Sequence, residues 1–222
     1  MLTKSEKSFV LIYMLIVTLE LICSTIETLN TIHYITKPAI VGSLIYFWLK
    51  YVHELDRKTK KVTLWALVFS ILGDILLMFV DLNPNYFIGG LISFLLAHLM
   101  YIKVFYGKCN FQNKVFGFLG MLLIYALVLF YFLKDNLDDM LVPVILYMAV
   151  ILLMVTMAFL RHGEVGKLSF ILVFLGAICF IISDSLLALN KFYKPLAFAN
   201  FSIMLTYALA QLLIVFGLKK QL

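Results

Sequence analysis

The stretch SILGDILLMF, Ser70–Phe79, sets one aspartate, Asp74, in a run that otherwise holds only apolar and small residues. It belongs to an apolar segment, about 62–80, that is long enough to cross a bilayer core, which takes roughly 17–25 helical residues. A carboxylate at the centre of such a helix costs ~2.5–3.5 kcal/mol on insertion scales. Something must offset that cost. An ionisable group kept inside a membrane is a functional-site hypothesis from the outset.

Seven more segments of the same kind flank it, at about 9–29, 38–52, 86–106, 115–133, 141–160, 167–189 and 197–218. The chain is 64% hydrophobic and 14% charged, with a mean hydropathy of +1.05. Soluble domains run about 45–50% apolar and about 25% charged, so this chain has too little polar surface to cover a soluble globule. The expected fold is all-α: one polytopic helix bundle of eight transmembrane helices, a single integral membrane domain over residues 1–222. Linkers such as HELDRKTKK (His53–Lys61) and KDNLDD (Lys134–Asp139) are too short to fold separately. Pro38 is expected in the first turn of the second helix, where its missing N–H is harmless. Lys4 and Lys7 precede an apolar run as in a signal peptide, but no A-x-A site follows, so the run reads as a retained first helix. Cys23, Cys109 and Cys179 have neither metal nor disulfide spacing.

The net charge of +6 reflects short basic loops rather than a nucleic-acid patch. With eight spans, fourteen of the eighteen Lys and Arg residues fall on the side of the termini. Lys37, Lys134, Lys191 and Lys194 fall opposite. The positive-inside rule then places both termini in the cytoplasm, with the chain in the cell (inner) membrane if the source is bacterial.

A second stretch, FIISDSLLALNKF (Phe180–Phe192), answers the first. Asp74 and Asp184 both sit in a small–Asp–x–Leu–Leu pattern, 110 residues or four helices apart. Helices three and seven therefore run the same way, with the two carboxylates at matching depth, ~10 Å from the non-cytoplasmic end at 1.5 Å per residue. This is the pattern of a parallel repeat of four plus four helices, with the pair around a pseudo-twofold axis along the membrane normal. Other intramembrane polar residues share faces by helical spacing: His98 with Tyr101, Tyr207 with Gln211, and Glu20 with Glu27. The bland reading is helix glue, worth ~0.6 kcal/mol per buried hydrogen bond. It fits one buried aspartate better than two at matched depth. Glu27, near a helix end, reads as reaching interfacial water, and Glu20 is harder to dismiss. Gly73 and Gly176 read as sites of close helix approach. No phosphate-binding glycine loop, histidine zinc pair or G-x-S-x-G is present.

Five segments in order give the chain a recognisable likeness: TKPAI (Thr36–Ile40), SILGDILLMF, GLISFLLAHLMYIKVF (Gly90–Phe105), GAICFIISDSLLALNKF (Gly176–Phe192) and YALAQLLIVFGL (Tyr207–Leu218). Together they resemble the YhhN-like family of membrane proteins, whose characterised members are lysoplasmalogenases. The resemblance implies eight helices and hydrolysis of the vinyl ether bond of a lysoplasmalogen. The products would be a fatty aldehyde and glycerophosphoethanolamine or glycerophosphocholine. The partners implied are a lysophospholipid within the bilayer and water, with no nucleic acid. Vinyl ether hydrolysis transfers a proton to carbon and passes through an oxocarbenium ion, much as glycosidases do with their two carboxyls. Two carboxyl groups in one apolar site do not both ionise easily, so the pair Asp74 and Asp184 can hold one proton and one charge between them. Tyr207, Gln211 and His98 can position water or the hemiacetal oxygen, and Lys37 can meet the lipid phosphate. No metal and no organic cofactor is required. The competing reading is a proton-coupled transporter using the same carboxylates.

Overall fold

The computed structural model describes residues 3–26, 29–111 and 115–221. Among them are eight α-helices and no strand: α1 (Lys4–Cys23), α2 (Asn30–Tyr51), α3 (Arg57–Leu77), α4 (Asn85–Tyr106), α5 (Phe116–Leu133), α6 (Leu141–Leu160), α7 (Lys167–Phe192) and α8 (Ala199–Lys219). Two 3-10 turns, Lys134–Asn136 and Asp138–Met140, join α5 to α6. Two of these helices, α1 and α3, have side-chain N-caps. Asp56 takes the N–H of Thr59 at 2.9 Å ahead of α3. Thr3 and Glu6 form a reciprocal capping box ahead of α1.

The eight segments of the sequence coincide with the eight helices, and the largest departures fall at the first two. α1 stops at Cys23, earlier than expected. The hydroxyls of Ser24 and Thr25 bond back to the Leu21 and Ile22 carbonyls, offering the backbone an alternative to another helical turn. α2 starts at Asn30, so Pro38 lies in the helix interior and not in its first turn. Proline cannot donate to the carbonyl four residues back, so the turns before it need outside support. The buried Glu20 carboxylate supplies it, accepting from Thr36 Oγ1 at 2.6 Å and pairing with His33 Nδ1 at 2.8 Å.

α4 to α8 are long and apolar enough to cross a membrane by length and composition, and α1 to α3 are not among the helices that pass that test. α3 packs along α4 and α7 along α8; α2 lies on α3, α6 on α7, α4 on α6 and α2 on α8. Small residues set the closest approaches, as expected for helices packing in lipid. A Cβ on Gly176 would lie 2.9 Å from the Ala210 carbonyl oxygen, and one on Gly73 would lie 2.7 Å from the Phe94 ring. The core between the helices mixes aliphatic and aromatic side chains, with Phe47 stacked on Phe9 and Phe216 at centroid distances of 4.3 and 4.9 Å.

Glu6 fastens the two ends of the chain. Its Oε1 meets Lys219 Nζ at 2.8 Å and Lys220 Nζ at 3.1 Å, which puts the start of α1 and the end of α8 at one end of the bundle. Burial pushes the carboxyl's pKa upward, but hydrogen bonds from Lys219, the Thr3 N–H and Lys220 outweigh it and hold Glu6 down from 4.5 to about 2. A depressed carboxylate stabilises the fold above its unfolded pKa and ceases to do so as pH falls through the folded one. Glu6→Gln is expected to cost ~1–3 kcal/mol at neutral pH, since glutamine keeps the capping box and the lysines can return to water but both ion pairs are lost. Melting curves in detergent should show it. The wild-type protein should lose its advantage over the variant as pH drops from 4.5 toward 2.

Candidate functional site

Asp74 stands on α3 and is 2% exposed. Its Oδ2 accepts from the hydroxyl of Tyr207 on α8 at 2.7 Å. Tyr207 is in turn approached by Gln211 Nε2 at 3.4 Å, one helical turn on. Gln211 Oε1 accepts from the hydroxyl of Tyr101 on α4 at 2.7 Å. Tyr101, Gln211 and Tyr207 thus form one file whose donors all point toward Asp74. The file is buried throughout, so every polar atom in it depends on its neighbour. The ring of Phe94 stands edge-on to Tyr207 at 5.7 Å and fixes its orientation.

Asp184 stands on α7 with 15% of its side chain exposed. Its Oδ2 accepts from the hydroxyl of Tyr147 on α6 at 2.6 Å. His98 Nε2 on α4 lies 3.7 Å from the same oxygen, beyond hydrogen-bond length. The His98 ring is fully buried and edge-on to Tyr147 and Phe180, and among the described residues neither of its nitrogens has a hydrogen-bond partner. Ser183 donates to the Ile203 carbonyl at 3.0 Å and so pins α7 to α8 beside the aspartate. The two carboxylates therefore have like surroundings. Each takes a tyrosine hydroxyl from a neighbouring helix.

Both aspartates line one cavity of about 390 Å³. Its wall comes from the start of α2, the ends of α3 and α7, the first half of α4 and the start of α8. Lys37 and Lys191 contribute cations, and Asp81 and Asn190 add polar groups. Tyr207 lines the cavity too, whereas Tyr101, Gln211 and His98 sit behind the wall and reach it through Tyr207 or beside Asp184. Glu20 does not line the cavity. It is spent on His33 and Thr36, and its effect there is carried by His33, which does. Glu27 lies outside the described residues. Among the described residues no group of three or more His, Cys, Asp and Glu side chains is arranged to hold a metal ion.

Three site residues were not legible in the sequence. Tyr147 is the partner of Asp184, and its only signal is a hydroxyl amid the apolar α6. A tyrosine is also common at membrane interfaces, so that signal is weak. His33 and Lys191 flank helix ends, where polar residues are ordinary. Chemically the site offers two carboxyls facing one chamber, hydroxyl donors that hold them, and two lysines in its wall for an anionic group.

Residues 32–218 match the family model of the YhhN family. The chain is 34% identical over 153 residues to lysoplasmalogenase TMEM86B of Homo sapiens, covering 67% of this chain and 59% of that protein. It is 33% identical over 154 residues to lysoplasmalogenase TMEM86A of Bos taurus, covering 67% of this chain and 61% of that protein. The match thus spans about three fifths of the length of these curated relatives. No solved structure matches the chain. The apolar helices and these relatives identify an integral membrane protein. With the family match extending from the start of α2 to the end of α8, the chain belongs to the YhhN family.

Proposed function

We propose that the chain is a membrane-embedded hydrolase that cleaves the vinyl ether bond of lysoplasmalogens to a fatty aldehyde and a glycerophospho-alcohol. The observation that carries this reading is the shared cavity: Asp74 and Asp184 both line it, and each is held by a tyrosine hydroxyl. The lysoplasmalogenase names of the matched relatives supply the substrate class and favour the hydrolase over the transporter.

The reaction runs on these groups alone. One carboxyl gives its proton to the second alkenyl carbon, and the π pair forms the new C–H bond. The carboxylate partner faces the positive charge that develops on the first carbon and the ether oxygen. Water adds to that carbon and returns a proton to the pair. The hemiacetal then collapses, its proton passing to the leaving glycerol oxygen. Lys37 and Lys191 sit where they can meet the head-group phosphate as point charges. The rate should be bell-shaped in pH, falling when the pair gains a second proton or loses its only one.

The same proposal includes one domain over residues 1–222, eight spans, cytoplasmic termini and, in a bacterium, the cell membrane. Two features support a four-plus-four repeat. The packing pairs correspond under a shift of four helices: α3–α4 with α7–α8, α2–α3 with α6–α7, and α2–α8 with α4–α6. Tyr207 of α8 beside Asp74 also corresponds to His98 of α4 beside Asp184, to within one residue of the 110-residue shift. Reporter fusions after α8 and in the 134–140 loop should land on opposite sides of the membrane, and landing together would refute the topology. Purified protein in liposomes given a lysoplasmenyl lipid should release fatty aldehyde and leave a saturated alkyl-ether lysolipid intact. Absence of aldehyde would refute the hydrolase.

A further inference from the structure

A second, smaller slot of about 50 Å³ also reaches Asp184. It lies between α4, α5, α6 and α7, and its wall is almost wholly apolar, with Leu129, Val144, Met148, Ile151 and Phe192 among its residues. Five residues line both this slot and the polar cavity: Leu77, Phe87, Phe94, Leu187 and Asp184. Asp184 is the one polar group among the five. The two spaces therefore meet at its carboxyl.

The outer wall of the slot is α5, the least buried of the five strongly apolar helices. α5 packs on α6 and α7 alone among the closely packed helices, and most of its outward side chains are exposed apolar ones. Among the described residues a single polar link ties its length to the bundle, the hydroxyl pair of Tyr125 and Ser185 at 2.5 Å. A lipid tail beside α5 is already in hydrocarbon. Moving it sideways into an apolar slot exposes nothing to water and strips no hydrogen bond. A head group could not make that passage, but the polar cavity offers it Lys37, Lys191 and Asn190.

Resting on the proposed hydrolase, we infer that this slot is the alkenyl-chain subsite, taking one unbranched hydrocarbon chain from the bilayer past α5, with the head group in the polar cavity. A vinyl ether is the joint between chain and head. A lipid so placed puts that joint at the shared wall, with the Asp184 carboxyl beside the alkenyl carbons and Asp74 on the head-group side.

The test uses the wild-type protein in liposomes and a saturated 1-O-alkyl lysophosphoethanolamine carrying a diazirine near the chain end. Irradiation should label α5 and α6 residues of the slot, such as Ala126 or Met148. The unmodified alkyl lysolipid should compete this label away, and chainless glycerophosphoethanolamine should not. Ala126→Trp and Ala188→Trp, which fill the slot, should abolish the competable label and raise KM for a long-chain substrate by ~10-fold, a loss of the order of one good packing contact. Competable label confined to the polar cavity or to other helices, or no competable label at all, would overturn the subsite, whether or not the tryptophan variants fold. The probe is not cleaved, so it reads the slot apart from the chemistry. Label in the slot with no aldehyde from a vinyl ether would overturn the hydrolase and leave the subsite standing. Aldehyde without label in the slot would do the reverse.

Discussion

Asp184→Asn and Asp74→Asn are each expected to reduce aldehyde release by ~10³-fold or more while the protein still inserts and folds. The fold should survive because the amide oxygen of asparagine can accept the same hydroxyl hydrogen bonds, from Tyr147 at 2.6 Å and from Tyr207 at 2.7 Å. What asparagine cannot do is give a proton to carbon or carry negative charge beside a cation. The double variant should be little worse than either single one, because groups that act as a unit fail together. Steady-state rates on a lysoplasmenyl lipid, with melting temperature as the control for folding, decide the matter. A single variant that retains near wild-type turnover would reduce its aspartate to helix glue.

Tyr147→Phe and Tyr207→Phe come next, with an expected loss of ~10–100-fold in kcat and little change in KM. Each removes one hydrogen bond to a carboxyl oxygen, an interaction worth ~1.5–3 kcal/mol where the acceptor is charged. Both tyrosines line the spaces proposed for the lipid, but the phenylalanine variants keep the rings in place and remove only the hydroxyls that position the aspartates, so KM should change little. The two variants should also differ. Without the Tyr207 hydroxyl, the file from Tyr101 through Gln211 ends in an unpaired amide, whereas Asp184, with 15% of its side chain exposed, can turn to water when the Tyr147 hydroxyl is lost. Tyr207→Phe should therefore lower the melting temperature more, and Tyr147→Phe should change the pH profile of kcat with the milder loss of stability. Equal losses in melting temperature with unaltered kcat would assign both tyrosines to packing.

Much of this architecture is readable from residue order because membrane helices must satisfy their own backbone and bury apolar faces. Apolar runs bounded by polar loops reveal eight helices, and a lone carboxylate in such a run stands out. Helix ends are harder. Pro38 fits the first turn of a helix by local chemistry, and only the long-range partner Glu20 on α1 lets α2 begin earlier. The site divides along the same line. Asp74, Asp184, Tyr207 and Gln211 are conspicuous because they are polar amid oil. That Asp184 takes the hydroxyl of Tyr147 depends on how α6 is rotated against α7, and periodicity in one helix does not encode that angle. Glu20 was as conspicuous as the aspartates and has a different duty, holding the first turns of α2. Burial alone does not distinguish a reacting group from a structural one.

The central claim is that a carboxyl of this pair delivers a proton to carbon. Turnover of a lysoplasmenyl lipid by the purified protein in D₂O tests it directly, with the aldehyde reduced at once and examined by mass spectrometry. The account predicts one deuterium on the second carbon of the released chain, introduced by the wild-type protein and not by Asp74→Asn or Asp184→Asn. Aldehyde without that deuterium, or the same labelled product from either asparagine variant at the wild-type rate, would contradict it.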